Sequence, residues 1–344
     1  MKALITAPFG EKYREALEKY MSVEYKSWIE AGRLFTEEEL IDRAKDKDVL
    51  IVELDQVTGN VINQCPKLTI VGCCRGGPVN IDIDSCTKKG IPVLRTPGRN
   101  SEAVAEMTVG LMIALTRHII PAYEWLKAGN WTPDTAETPE DPYARFRGNE
   151  LWGKTVGIIG LGAVGSKVAS MLGAFGTKLI GYDPYLPPEG FREFNVEPVK
   201  NLESIFRNAD IVTVHMSVTK ETSGLIGAKE LSLMKSSAYF VNVARAALVD
   251  NQVLYKLLSE KKIAGAAVDV LAKEPATPQQ EPLLKLENVI ATPHICGATY
   301  EVVDHHSAIM SDDVIRILHG EKPRYIVNPE TLDNRRKGVG GPNG

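Results

Sequence analysis

From Lys154 to Phe175 the chain passes from a short β-branched stretch, Thr155-Val-Gly-Ile-Ile159, through Gly160, Gly162 and Gly165. It then enters a segment whose apolar residues, Val164, Val168, Met171, Leu172 and Phe175, recur at helical spacing. Strand, tight turn and helix are the reading this pattern enforces. The first glycine permits the turn, the second lets backbone approach a pyrophosphate, and the third lets helix and strand pack closely. The free N–H groups of the helix's first turn then face an anion. Lys178 to Tyr182 reads as the next strand, and Asp183 ends it, 18 residues beyond Gly165, where a carboxylate can accept from ribose hydroxyls. That charge repels a 2′-phosphate, and Pro184 and Tyr185 supply no cation, so NAD is expected rather than NADP. Glycine spacing alone is weak evidence; the strand, the helix and the acid around it make it specific.

The motif falls in mid-chain, so a domain of its own must precede it. With 344 residues and 44% apolar content, the chain can build two substantial cores. The net charge of −4, with acids and bases interspersed, gives no basic face for nucleic acid. No 18-residue apolar run and no leader-like start is seen, and a cytoplasmic protein without membrane contact is expected. Five cysteines (65, 73, 74, 86 and 296) form no C-x-x-C pair and read as reduced thiols. No metal-ligand spacing appears, and the adjacent His305 and His306 point to different sides of a helix as surface or packing residues.

The first hundred residues alternate strand-like runs (Leu4–Thr6, Val49–Val52, Thr69–Gly72, Ile91–Leu94) with helices over Glu11–Tyr20 and Thr36–Ala44, the latter opened by a Thr36/Glu39 capping box. Ser101 to Leu115 is a long apolar helix, and Ala128 to Glu150, rich in Pro, Thr, Asp and Gly, reads as an extended arm suited to a partner subunit. The glycine motif opens a second series, with strands at Ile211–Val214, Ala238–Val243, Ala264–Val270 and Val289–Thr292 and helices at Leu202–Arg207, Ala228–Met234 and Asp250–Glu260. With the first two, that makes six strands of a doubly wound sheet. A helix from Ala298 to Leu318 and a short strand at Tyr325–Val327 are too little for a third domain and return to the first. Residues 331–344 are expected to be a flexible tail with Arg335, Arg336 and Lys337 solvated.

Hydride transfer at a hydroxyl-bearing carbon also needs a base for the proton, and a carboxylate substrate needs a cation. Residues of these types follow the glycine motif at predicted strand ends, the edge where doubly wound sheets bind ligands. They are Arg245 in Phe240-Val-Asn-Val-Ala-Arg245, Glu274 in Val268-Asp-Val-Leu-Ala-Lys-Glu-Pro275, and His294 in Ala291-Thr-Pro-His-Ile-Cys-Gly-Ala-Thr299.

These segments, the glycine motif, the Thr96-Pro-Gly-Arg-Asn-Ser-Glu-Ala-Val-Ala-Glu106 stretch and the Asn328-Pro329 ending together resemble the D-isomer-specific 2-hydroxyacid dehydrogenases, including D-3-phosphoglycerate dehydrogenases and glyoxylate reductases. The resemblance covers nearly the whole chain. It implies an α/β fold of two Rossmann-like or flavodoxin-like doubly wound parallel-sheet domains. An NAD-binding domain, 101–295, is inserted into a discontinuous substrate domain, 1–100 and 296–330, with a cleft between them and homodimerisation through the cofactor domains. No appended regulatory domain is expected after residue 330.

Carried over residue by residue, the resemblance makes Arg245 the holder of the substrate carboxylate through a bidentate guanidinium and His294 the acid–base. Glu274 orients His294 and favours its imidazolium, raising its pKa. Gly160, Gly162, Ala163, Val164, Gly165, Asp183, His215 and Ala244 line the cofactor. Asp269 bonds the nicotinamide carboxamide, and Thr108 faces the phosphates or packs its helix. Ser217 stands where the family usually has Pro, which alters the His215 loop.

The larger departure is Cys73-Cys-Arg-Gly-Gly-Pro-Val-Asn-Ile-Asp82, where Arg75 replaces a glycine of the family's substrate-carboxylate loop. Arg75, or the amides of Gly76 and Gly77, is expected to meet a substrate anion, with Arg75 reading a second charge such as a phosphate. Bonds from Arg75 to neighbouring loop carbonyls are the bland alternative. Cys296, near His294, is expected to pack rather than sense oxidants. The activity implied is NAD-dependent interconversion of a small D-2-hydroxyacid and its 2-oxoacid, 3-phosphoglycerate among the candidates. A corepressor-like NAD-sensing protein of the same fold with little turnover is the alternative. Glu274 argues against formate dehydrogenases, which carry Gln there.

Overall fold

The computed structural model describes residues 1–135, 138 and 141–332. The chain divides into two compact units, Met1–Asn100 with the residues from Thr299 onward, and Ser101–Ala298. The second crossing falls after Ala298 rather than at the expected 296, because the amides of Ile295 and Cys296 are still bonded to Asp269.

The first unit holds a parallel sheet of β1 (Lys2–Ile5), β2 (Ser22–Tyr25), β3 (Val49–Val52), β4 (Ile70–Cys73) and β5 (Val93–Arg95), in the order β2-β1-β3-β4-β5. Side chains alternate across it. Leu4, Leu50, Val52 and Val71 enter a core on one face, and Ala3, Ile5, Ile51 and Ile70 enter another with Met310, Val314 and Ile317 of the helix Glu301–Leu318. Both faces are therefore covered, as an all-parallel sheet requires, and its strands read as continuous apolar runs. Each fully buried Leu or Ile contributes about 1.5–3 kcal/mol. The Thr36/Glu39 capping box forms and opens the helix Glu37–Ala44.

The expected strand at Tyr325–Val327 is instead a single antiparallel bridge, Leu94 with Ile326. Side chains hold that segment: buried Asp313 accepts from the amides of Arg324 and Tyr325, and Asn328 bonds Val93 N, Ile91 O and the Thr87 hydroxyl. Thr331, expected within the tail, is fully buried, and residues 333–344 of that expected tail lie outside the described residues. Arg335, Arg336 and Lys337 lie outside the described residues. β2 and the helices Gly59–Gln64 and Ile83–Lys88 had no counterpart in the sequence reading. Each is too short to show a period, and only caps such as Thr58 and Asp82 announce the helices.

The second unit is built on β6 (Thr155–Ile159), β7 (Lys178–Tyr182), β8 (Glu197–Pro198), β9 (Ile211–Val214), β10 (Tyr239–Asn242), β11 (Gly265–Val268) and β12 (Val289–Ala291). All pairings are parallel, in the order β12-β11-β10-β9-β6-β7-β8. This is the doubly wound order with its reversal between β6 and β9. Among the described residues it has seven strands rather than six; the extra one, β8, is a two-residue edge strand ending in Pro198, where a missing N–H is tolerated. The helix Ser101–Thr116 packs against the helix Gly165–Ala174 that follows the glycine turn. The expected extended arm, 128–150, contains two short turns, Pro133–Thr135 and Pro142–Arg145, the latter capped by Asp141. No single described helix is long and apolar enough to cross a membrane.

Candidate active site

The glycine turn takes the form its sequence demands. Gly160 has φ 90°, a left-handed value that side chains resist, and its amide bonds Tyr182 O at 2.8 Å. A Cβ on Gly165 would collide with the Gly160 carbonyl, whereas one on Gly162 would meet nothing within 4 Å. The first glycine thus serves the turn, the third serves packing, and the second leaves open backbone. Among the described residues no acceptor takes the amides of Gly162, Ala163 or Val164, at the helix's entrance, so these donors fit a pyrophosphate. Asp183 is held on the turn: Oδ2 accepts from Leu161 N and Oδ1 from Tyr185 N, both at 2.9 Å. The acid fits a ribose, and its charge is fixed in place.

At the far end of the same strand edge, the loops after β11 and β12 bring Glu274 and His294 together. His294 Nδ1 lies 2.7 Å from Glu274 Oε2, and the other carboxylate oxygen accepts from Leu271 N at 2.9 Å. Partial burial opposes ionisation of Glu274, but the bonds from His294 and Leu271 outweigh it and hold its pKa below the ordinary 4.5. A carboxylate on Nδ1 makes Nε2 the nitrogen that exchanges a proton. His294 has φ 57°. Its turn is held by Asp269, whose carboxylate accepts from the Thr292 hydroxyl and the amides of Ile295 and Cys296. Asp269 is 1% exposed, and both of its oxygens bond this turn.

Arg245 follows β10, the neighbour of β11, and its side chain is exposed with Nη1 donating to Ala244 O at 2.6 Å. Asn242 shapes this turn by bonding Ala244 N and Arg245 O. His215 follows β9; its Nε2 is 2.9 Å from the Thr213 hydroxyl, and burial of the ring pushes its pKa down to about 3, so it is neutral at pH 7. Thr108 is fully buried, and its hydroxyl donates to Val104 O one turn earlier in its helix. Cys296 is buried, and burial beside Asp269 pushes its thiol pKa up, so it packs. Asn242 and Thr292 were missed by sequence reading; a polar residue directly at a strand end was the available signal.

In the first unit Arg75 follows β4. Its carbonyl accepts from Thr96 N, and Arg95 Nη1 donates to Gly76 O. The Arg75 guanidinium makes no hydrogen bond or ion pair among the described residues. By contrast, Arg99 is paired with Glu53 at 2.5 Å and contacts His306 Nδ1. His306 is buried on Pro8 O, while His305 is exposed. No cluster suited to a metal ion occurs among the described residues.

In strand order, the second unit's edge carries His294, Glu274, Arg245, His215, the glycine turn and Asp183. Such an edge suits hydride exchange with a bound dinucleotide, which places the protein among the nicotinamide-dependent dehydrogenases. Residues 109–296 match the family described as D-isomer specific 2-hydroxyacid dehydrogenase, NAD binding domain. The chain is 44% identical over 338 residues to the Bacillus subtilis protein YoaD, whose name places it among 2-hydroxyacid dehydrogenases, covering 97% of this chain and 95% of that one. It is 39% identical to a D-3-phosphoglycerate dehydrogenase of Methanocaldococcus jannaschii over 98% of this chain and 61% of that longer protein. A solved structure of the NAD-complexed D-isomer specific 2-hydroxyacid dehydrogenase from Lactobacillus delbrueckii ssp. bulgaricus superposes with TM-score 0.78 at 26% identity, over 95% of this chain and all of that one. The chain belongs to the D-isomer-specific 2-hydroxyacid dehydrogenase family, and its cofactor is NAD.

Proposed function

We propose that the protein interconverts a small D-2-hydroxyacid and its 2-oxoacid, with His294 as the acid–base and Arg245 as the carboxylate holder. The observation that carries this reading is the 2.7 Å bond between His294 Nδ1 and Glu274. It keeps an anion behind the ring and leaves Nε2 to take the hydroxyl proton on oxidation or return it on reduction. NAD, when bound, supplies or accepts the hydride at C2. Arg245 opposes the substrate carboxylate with a planar fork of donors. The finer reading is a substrate with a second anionic group, such as 3-phosphoglycerate; the uncommitted Arg75 guanidinium supports it.

The assay is NADH oxidation with glyoxylate, hydroxypyruvate and phosphohydroxypyruvate. Turnover with at least one, lost in His294→Ala by about 10²- to 10⁴-fold, is expected. Tight NAD binding with negligible flux across the panel would instead identify an NAD-sensing binding protein. The same reading includes a cytoplasmic homodimer. Ile119, Ile120, Tyr123 and Leu126 on the helix Ile119–Lys127 are each 47–56% exposed, an apolar face that a second copy would cover. Light scattering should give about twice 37.7 kDa.

A further inference from the structure

We infer that Asp269 is a positioning residue that aims the acid–base histidine, with Thr292 as its partner. The inference rests on His294 being the acid–base. His294 sits in the left-handed backbone region, at φ 57°, a conformation that persists in a residue with a Cβ only where surrounding contacts over-determine it.

Those contacts converge on one carboxylate. Asp269 Oδ1 accepts from the Thr292 hydroxyl at 2.5 Å and from Ile295 N at 2.8 Å, and Oδ2 accepts from Cys296 N at 2.9 Å. One donor lies two residues before His294 and two lie directly after it, so the carboxylate grips the turn from both sides. The grip is itself anchored to the sheet: Asp269 N bonds Asn242 O and Thr292 N bonds Val268 O, each at 3.0 Å. Two residues beyond Asp269, Leu271 N fixes Glu274 Oε1. The loop after β11 therefore holds the ring by Glu274 and the ring's backbone by Asp269. Hydrogen bonds to an ionised acceptor in a water-poor setting are the strong kind, which suits a group that must define one geometry.

The inference is tested by substitution with three readouts: kcat for 2-oxoacid reduction, NADH Kd by fluorescence titration, and rescue. Asp269→Asn puts an amide donor where a donor already points. It is expected to lower kcat by about 10²-fold, the cost of misplacing a reacting group, with NADH Kd unchanged within about twofold. Thr292→Val keeps the shape and removes one hydrogen bond, with an expected kcat loss of about tenfold; Thr292→Ser restores the hydroxyl and should return kcat to near wild type. If Asp269→Asn does not fold, the Thr292 pair decides. An NADH Kd raised tenfold in Asp269→Asn, with Thr292→Val at wild-type kcat, would make Asp269 a cofactor contact and overturn the inference. So would wild-type kcat in both variants beside an inactive His294→Asn. Full turnover in His294→Asn would overturn the proposed function itself, and this inference with it.

Discussion

Glu274 and His294, 20 residues apart in sequence, are bonded through Oε2 and Nδ1 at 2.7 Å, while Leu271 N holds the other carboxylate oxygen. The carboxylate can neither rotate away nor be replaced by water without losing a second bond. Its depressed pKa is the electrostatic record of that arrangement.

Glu274→Gln keeps the shape and removes the charge. We expect kcat/KM for 2-oxoacid reduction to fall by about tenfold or more, the difference between charge-assisted and neutral bonding. In the wild type, an acid whose folded pKa lies below 4.5 contributes above that value and is lost as pH falls through its folded value. Acid failure of the pair should therefore appear only below about pH 4.5 in the pH–rate profile.

Arg75→Ala should separate substrates. We expect KM for phosphohydroxypyruvate to rise by about 10- to 100-fold, as befits a lost charge-assisted contact, with glyoxylate changed less than threefold. An equal effect on both would remove the role of Arg75 in reading a second charge.

Gly165→Ala drives a methyl group into the Gly160 carbonyl. The helix start must shift, which should cost about 1–3 kcal/mol by overpacking and displace the amides of Gly162 to Val164. Calorimetry should show a lower Tm, and titration an NAD Kd weakened at least tenfold.

His215 carries a pH signature of its own. Its pKa is pushed from 6.5 to about 3 by burial, so its contribution to stability is complete above pH 6.5 and is lost progressively as pH falls toward 3. Urea unfolding of the cofactor-free protein between pH 7 and 4 should show that slope, and His215→Gln should flatten it.

The second unit was the more legible in sequence. Buried strands of four or five residues and a glycine turn declare themselves by composition, and Gly160, Gly165, Asp183, Glu274 and His294 stand where local pattern placed them, because each is tied to the end of a strand. Short capped helices such as Gly59–Gln64 escaped, since six residues do not show a period. Tyr325–Val327 misled, because its apolar residues pack beside β5 under the hold of Asp313 and Asn328 rather than by extending a ladder.

What the chain alone determined was the run of strands and turns, the dinucleotide turn and the strand ends that carry Arg245, Glu274 and His294, all properties of residues near one another in sequence. What tertiary structure decided was how those groups are held. Asp269 bonds the His294 turn from both sides, Thr108 is buried against its own helix, and the Arg75 guanidinium makes no hydrogen bond or ion pair among the described residues. Hydrogen-bond partners 20 or more residues apart are chosen by the packing of the sheet, and no local pattern records that choice.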